Sequence, residues 1–249
     1  MKDHFSLEGK TILVTGASSG IGRCVAVECS KKGARLVING RNHERLEQTL
    51  SQLEGENHLM LPADLSEGSA VDEMVAQLPL LDGVSHNAGI SQIGMIKFMQ
   101  ESDWREIAQT NAFSAIWLTH CLVAKKKLKR PASIVFTSSI SGNDSVRHGE
   151  ALYAATKSAV SGFAKSAALD LASQGVRVNC VHPGMIMTEL FQSAQTTMAE
   201  NLDELMKLFP LKRFGEPLDV ADGIIYLLSD ASSWVTGIEL KIDGGYTLK

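Results

Sequence analysis

The four cysteines, Cys24, Cys29, Cys121 and Cys180, form no C-x-x-C pair. Their apolar surroundings predict buried, reduced thiols of a cytosolic protein, not a disulfide frame. An excess of positive charge is also missing. The 24 Lys and Arg stand against 28 Asp and Glu, a formal net charge of -4, so no basic stripe exists to neutralise a phosphate backbone and no nucleic-acid partner is expected. The one dense basic run, Lys125-Lys126-Lys127-Leu128-Lys129-Arg130, reads as a solvated helix C-terminus, where cations suit the macrodipole, with ligand docking as the other use. No uninterrupted apolar segment follows Met1, so no export signal is expected and a cytoplasmic location is. The longest uncharged stretch, Ile107 to Ala124, contains Gln109, Thr110, Asn111, Ser114, Thr119 and His120; it is too polar for a bilayer core and predicts a helix buried in protein. His86, His148 and His182 never fall at ligand spacing, so no metal is expected and each reads as a structural or surface histidine.

Apolar residues at 44% and charged residues at 21% provide a sizeable core without staples. No Pro/Ser/Gly-rich linker or internal repeat divides the chain, which predicts one domain over 1–249. Short β-rich runs at Thr11 to Thr15, Arg35 to Asn39, Leu59 to Ala63, Gly83 to Asn87, Ser133 to Thr137, Arg177 to Val181 and Glu239 to Ile242 alternate with helical patterns near 21–32, 42–54, 67–77, 103–129, 152–173 and 217–229. This rhythm predicts an α/β fold: a Rossmann-like, doubly wound, predominantly parallel seven-stranded sheet with helices on both faces. Consecutive apolar residues such as Ile12-Leu13-Val14 fit strands buried on both sides. Ligands of such sheets bind beyond the carboxyl ends of the strands, so the strand-to-helix turns are where function is sought.

The first such turn reads Thr15-Gly16-Ala17-Ser18-Ser19-Gly20-Ile21-Gly22. Gly16 permits a tight turn, Gly20 a close approach of a diphosphate to the backbone, and Gly22 close packing of helix on strand; a glycine turn that merely reverses the chain is the alternative. At the end of the second strand, Asn39-Gly40-Arg41-Asn42 offers no carboxylate for the ribose hydroxyls and one guanidinium for a 2′-phosphate. That predicts NADP(H) over NAD(H), unless Arg41 is only a solvated residue before a helix. Asp64, with Leu65 beside it, either meets the adenine edge or caps the following helix. Tyr153 and Lys157, four apart on a helical pattern, share one face at the ligand-facing end of the sheet, just after Thr137-Ser138-Ser139.

These residues, together with Asn87-Ala88-Gly89, Asn111, Pro183-Gly184, Thr188, Thr236-Gly237 and Asp243-Gly244-Gly245, resemble the short-chain dehydrogenase/reductase family in its single-domain branch, along essentially the whole chain. The resemblance implies that Ser139 binds the substrate carbonyl, that Tyr153 is the acid/base, that Lys157 holds the nicotinamide ribose and lowers the tyrosine pKa, and that Asn111 supports a proton-relaying water. Gly142, three residues on, selects Ser139 over Ser138, which is left as a strand-end hydroxyl bonded to backbone. The resemblance also places Pro183, Gly184, the Ile186 backbone and the Thr188 hydroxyl near the nicotinamide and diphosphate, and a substrate lid at about 186–210. Lid residues Leu190, Phe191, Met198, Leu202, Leu205, Met206 and Phe209 line a pocket or pack a helix pair. A tyrosine titrating near neutrality needs a shift of roughly three units, about 4 kcal/mol. An ammonium ~5 Å away supplies roughly 3 kcal/mol of that at an effective dielectric of about 20.

The expected activity is therefore NADP(H)-dependent interconversion of a ketone and a secondary alcohol. A subgroup of the family reduces 3-oxoacyl thioesters on acyl carrier protein. Arg130 stands where that subgroup carries one docking arginine, but Gln174 stands where it carries a second, which weakens the case for that partner. A cofactor-binding sensor without turnover is opposed by the intact Asn111, Ser139, Tyr153 and Lys157. A nucleotide-sugar epimerase is expected to carry a longer C-terminal substrate domain. By analogy, copies pair through helices near 103–129 and 152–173 into homodimers or homotetramers, with Ala154, Ala155, Ala159, Ser161, Ala164 and Ala167 allowing close approach or simply packing within the chain. The substrate is expected to be selected by the lid and by the loop Asn143 to Glu150.

Overall fold

The apolar runs form seven strands: β1 Thr11–Val14, β2 Arg35–Ile38, β3 Leu59–Met60, β4 Leu81–His86, β5 Leu128–Thr137, β6 Val176–Pro183 and β7 Glu239–Ile242. In this computed structural model, which describes residues 3–189, 191 and 202–248, every pairing is parallel and the strand order is 3-2-1-4-5-6-7. Alternation along the strands divides the interior into two layers, because successive side chains leave a strand on opposite faces. Leu13, Val37, Val84, Ile134, Phe136 and Val178 pack with Val71, Leu118, Leu122, Val160 and Ala164 from helices on one face. Ile12, Val14, Leu36, Ile38, Val135 and Val181 pack with Val25, Val220 and Ile224 on the other.

The helices are α1 Gly20–Lys31, α2 His43–Leu50, α3 Gly68–Gln77, α4 Glu101–Ala108, α5 Ser114–Ala124, α6 Ala151–Leu171, α7 Leu202–Lys207 and α8 Pro217–Leu228. α2 starts at an Asn42 cap whose side chain accepts from Arg45 N at 2.9 Å. α8 starts at Pro217, where the lost N–H has no helical partner to miss. No helix among the described residues is long and apolar enough to cross a membrane. All four cysteines are free thiols, with Cys24 half-buried and the others buried. Burial pushes the Cys24 thiol up to about 11 and that of Cys180 to about 12.

Three expectations change. The single helix 103–129 is α4, a π-helical turn at Gln109–Phe113, and α5. The basic run is not a helix C-terminus throughout: Lys125 ends α5, Lys126 turns the chain at φ 54°, and Leu128 to Arg130 begin β5. Leu128 pairs with Leu81, and Lys129 reaches Asp82 at 2.7 Å, so these cations extend from a strand end. The third strand stops at Met60. Pro62 has no N–H to continue the ladder, although Leu61 N still donates to Ile38 O at 3.0 Å and Ala63 N to Gly40 O at 3.3 Å.

Candidate active site

The strand order reverses between β1 and β4, and two adjoining cavities open there at the carboxyl ends of the strands. The first is a cleft lined by Gly16, Ser18, Ser19, Gly20, Ile21 and Gly22 from the first turn, and by Arg41, Asp64, Leu65, Asn87, Ala88, Gly89 and Thr188. A Cβ on Gly16, whose φ is +64°, would lie 2.7 Å from Ala88 N, and one on Gly22 would run into the carbonyl of Gly16. The turn thus accepts only glycine at both places. No side chain caps α1, so its first amides open into the cleft and suit an anion.

Arg41 is exposed, with Nη1 3.8 Å from Asp64 Oδ2. Asp64 does not cap α3, which starts at Gly68; its Oδ1 accepts from Ser66 N at 3.0 Å and Ser66 Oγ at 2.7 Å in a local turn. Burial would raise the Asp64 carboxyl, but these bonds and Arg41 hold it below the usual carboxylate range. The side chain of Leu65 belongs to the core, which leaves its backbone to the cleft. Sequence reasoning did not single out Arg45, which also lines the cleft and pairs with Glu189 at 2.8 Å. The signal was there: it stands four residues from Arg41, at the first turn of a helix.

The second cavity is lined by Ser139, Tyr153, Lys157, Pro183, Gly184, Ile186 and Thr188, and shares Asn87, Gly89 and Ile21 with the cleft. Arg147 and Glu150 reach it from the loop before α6, and Ile93, Met185, Phe191, Leu205 and Tyr246 give it apolar walls. Asn143, at the start of that loop, turns instead to Glu239 at 3.2 Å. Phe191, Leu202, Leu205, Met206 and Phe209 pack with Met185, Phe214 and Tyr246. Residues of the expected lid therefore serve both uses; Leu190 and 192–201, Met198 among them, lie outside the described residues. Tyr246 carried no local signal, being far along the chain from every other wall residue.

The Ser139 hydroxyl hydrogen-bonds the Tyr153 phenol. Lys157 Nζ stands 5.6 Å from the Tyr153 ring centroid and donates to Thr137 O at 2.9 Å. Burial pushes the Tyr153 phenol up to about 12, with Glu150 adding to the rise and Ser139 opposing it; burial lowers Lys157 to about 8. In the chain alone the phenol is thus raised, chiefly by desolvation of the phenolate, and not lowered as the lysine was expected to make it. Ser138 Oγ donates to Lys157 O at 2.9 Å and adjoins Ser161. Asn111 reaches neither cavity. Its carboxamide sits behind Gly89, in the π-helical turn, bonded to Ile90 and Thr156.

The cleft fits a dinucleotide: a glycine cradle that a Cβ would fill, open helix amides beside it, and a guanidinium at the far end. Residues 16–247 match the family model described as Enoyl-(Acyl carrier protein) reductase. The chain is 31% identical over 243 residues to the 3-oxoacyl-acyl-carrier-protein reductase FabG of Staphylococcus epidermidis, covering 95% of this chain and 98% of that protein. It is 32% identical over 259 residues to the versicolorin reductase stcU of Emericella nidulans, covering 98% and 97%. A structure from Beutenbergia cavernae, provisionally assigned as an NAD(P)-dependent gluconate 5-dehydrogenase and holding NADP at low occupancy, superposes with a TM-score of 0.88 at 29% identity, covering 99% of this chain and 100% of that one.

Proposed function

The chain belongs to the short-chain dehydrogenase/reductase family of oxidoreductases acting on CH–OH and C=O groups, and on that premise we propose that it interconverts a ketone and a secondary alcohol with NADP(H), using Tyr153 as acid/base. The observation that carries the reading is the hydrogen-bonded Ser139 and Tyr153 pair facing the apolar cavity, with the Lys157 ammonium 5.6 Å from the tyrosine ring. The first turn, Gly16 to Gly22, would hold the diphosphate, with Asn87, Ala88 and Gly89 beside it. Arg41, with Arg45 nearby, would hold a 2′-phosphate, and Asp64 and Leu65 the adenine. Lys157, Pro183, Gly184, Ile186 and Thr188 would hold the nicotinamide end. Bound there, the nicotinamide supplies a hydride or takes one up.

The chain's own residues handle the oxygen and its proton. Ser139 and Tyr153 each present an O–H to a carbonyl oxygen in the cavity, which stabilises negative charge as it develops. With its phenol pushed up to about 12, Tyr153 is protonated at neutrality and acts as the general acid for reduction. Lys157, buried beside it, favours the tyrosinate left after transfer. Both amide protons of Asn111 are spent, on Ile90 O at 2.9 Å and Thr156 Oγ1 at 3.2 Å. Its part in the site is to hold the Asn87-to-Ile90 loop, and a relaying water would take its backbone carbonyl.

A second reading is reduction of 3-oxoacyl thioesters on acyl carrier protein, favoured by the FabG relative. Arg130 is the docking cation in that reading, and Gln174 Oε1 accepts from it at 2.7 Å. Assembly of two or four copies through α5 and α6 belongs to the proposal. Of the six small residues expected to allow close approach, Ala154, Ser161, Ala164 and Ala167 are buried within the chain and Ala155 and Ala159 are exposed to a second copy. The test is NADPH absorbance with a panel of ketones and 3-oxoacyl thioesters, with NADH as control. NADPH consumption with at least one carbonyl compound is expected, and none across the panel overturns the reading.

A further inference from the structure

A buried imidazole joins four elements next to the substrate cavity. His182, in β6 and fully buried, has Nδ1 2.9 Å from Asp144 Oδ2 and Nε2 3.0 Å from Ser161 Oγ of α6. Ser161 Oγ lies 2.9 Å from Ser138 Oγ, which donates to the Lys157 carbonyl at 2.9 Å. Asp144 Oδ1 pairs with Lys241 of β7 at 2.6 Å. Glu239, also of β7, stands 3.9 Å from Nε2 and is held by Lys165 at 2.8 Å. The Cys180 thiol, from the same strand as the ring, touches Ser161. Asp144, Glu239, Lys241, Lys165 and Cys180 are thus the titratable groups around the ring, and two carboxylates lie closest to it.

Counting protons along this chain fixes the state of the imidazole. A carbonyl only accepts, so the Ser138 proton is committed to Lys157 O. The Ser138 to Ser161 bond then needs the Ser161 proton. Ser161 Oγ is left to accept, from Nε2–H and from the weak thiol donor of Cys180. On the other side, burial would raise the Asp144 carboxyl, but bonds from Lys241 and His182 hold it below the usual range. An ionised carboxylate also only accepts, so Nδ1 carries a proton as well.

We infer that His182 is a positioning residue for this active site: as a doubly protonated imidazolium it pins the loop 141–150 to α6 and β7, and through Ser161 and Ser138 it holds the strand end that carries Ser139. The ring touches neither cavity. The loop it holds does, because Ser141, Ser145, Arg147 and Glu150 line the substrate side and Ser141 Oγ donates to Glu150 at 2.9 Å. Gly142, in the same loop, lies so close to α6 that a Cβ would come within 2.6 Å of Ala154 O. Small displacements of such a loop matter, since a misplacement of ~1 Å far from the chemistry can cost about 100-fold in rate.

The kinetic consequence rests on the ketone/alcohol reading, whereas the charge on the ring does not. Nitrogen-15 NMR of the histidine-labelled chain at pH 7, assigned with His182→Gln, is expected to show both His182 ring nitrogens protonated; one unprotonated nitrogen overturns the imidazolium. Kinetics with NADPH and acetoacetyl-N-acetylcysteamine test the positioning. His182→Phe and Asp144→Asn are each expected to lower kcat/KM about 10- to 100-fold, with the NADPH dissociation constant within about twofold of wild type. His182→Gln, which keeps a donor for Ser161, is expected to recover part of the loss. Wild-type kcat/KM in both variants overturns the positioning role; should His182→Phe not fold, Asp144→Asn decides alone. A wild-type chain that reduces no ketone or thioester strikes the proposed function instead, and the NMR result then judges the charged ring by itself.

Discussion

The carboxamide of Asn111 grips both backbone polar groups of Ile90: Oδ1 accepts from its N–H at 2.7 Å and Nδ2 donates to its carbonyl at 2.9 Å. One side chain from the π-helical turn thereby replaces the ladder partners that the chain loses after β4. Gly89 fits directly beneath it, since a Cβ there would lie 3.3 Å from Oδ1 and 3.6 Å from Lys157 Nζ.

Asn111→Ala leaves two backbone groups of Ile90 without a partner. At about 1–3 kcal/mol for each buried polar group left unsatisfied, a loss of about 2–6 kcal/mol in unfolding free energy is expected from urea titration, with turnover reduced alongside it. A variant as stable as wild type would show that Asn111 does not hold the loop.

Tyr153→Phe removes the hydroxyl proposed as the proton donor and little else. Turnover is expected to fall by at least about 100-fold, the lower range for a general acid, while NADPH binding followed by fluorescence stays within about twofold. The pH profile should carry the sign of the neighbouring lysine. Lys157 is lowered to about 8 by burial, so its charge is present below that pH and lost above it. Carbonyl reduction is expected to decline as pH rises through about 8. Undiminished turnover in the phenylalanine variant would remove Tyr153 from the mechanism.

Arg41→Ala is expected to raise the KM for NADPH about 10- to 100-fold, the range of a lost hydrogen bond to a charged group, with the KM for NADH nearly unchanged. Equal losses with both coenzymes would refute the 2′-phosphate assignment. Because Arg45 lines the same cleft, Arg41→Ala/Arg45→Ala should abolish the remaining preference.

His86 is buried on the Phe136 ring, with Nε2 3.0 Å from Thr119 Oγ1 and no partner for Nδ1. Burial lowers its pKa from 6.5 to about 3. Between those values the unfolded chain binds a proton that the folded chain refuses, so stability falls as pH drops below 6.5. At pH 4.5 this amounts to about 3 kcal/mol relative to neutrality. Urea titrations of wild type and His86→Leu at pH 7 and 4.5 should show the leucine variant losing less on acidification. Parallel losses would mean that His86 is not the acid-sensitive group.

Local pattern was enough for the strands, for the glycine turn and for the Tyr153/Lys157 pair. Strands buried on both faces need consecutive apolar residues, a backbone at φ +64° needs glycine, and four residues bring two side chains to one face of a helix. Boundaries set by partners were not legible. β5 starts at Leu128 because Leu81 lies opposite it, not because Leu128-Lys129-Arg130 resembles a strand, and the π turn at Asn111 shows only where its carboxamide finds Ile90. Nor does a sequence state how much water a group loses. Spacing puts an ammonium near the Tyr153 phenol, but only the packed structure shows Lys157 buried and Tyr153 partly so, and that desolvation raises the phenol and lowers the lysine. Which chemical groups the site contains was written in the chain; their protonation, and the joining of Asp144, His182, Ser161 and Ser138 from separate segments, depended on the folded packing that excludes water and brings distant residues within hydrogen-bond reach.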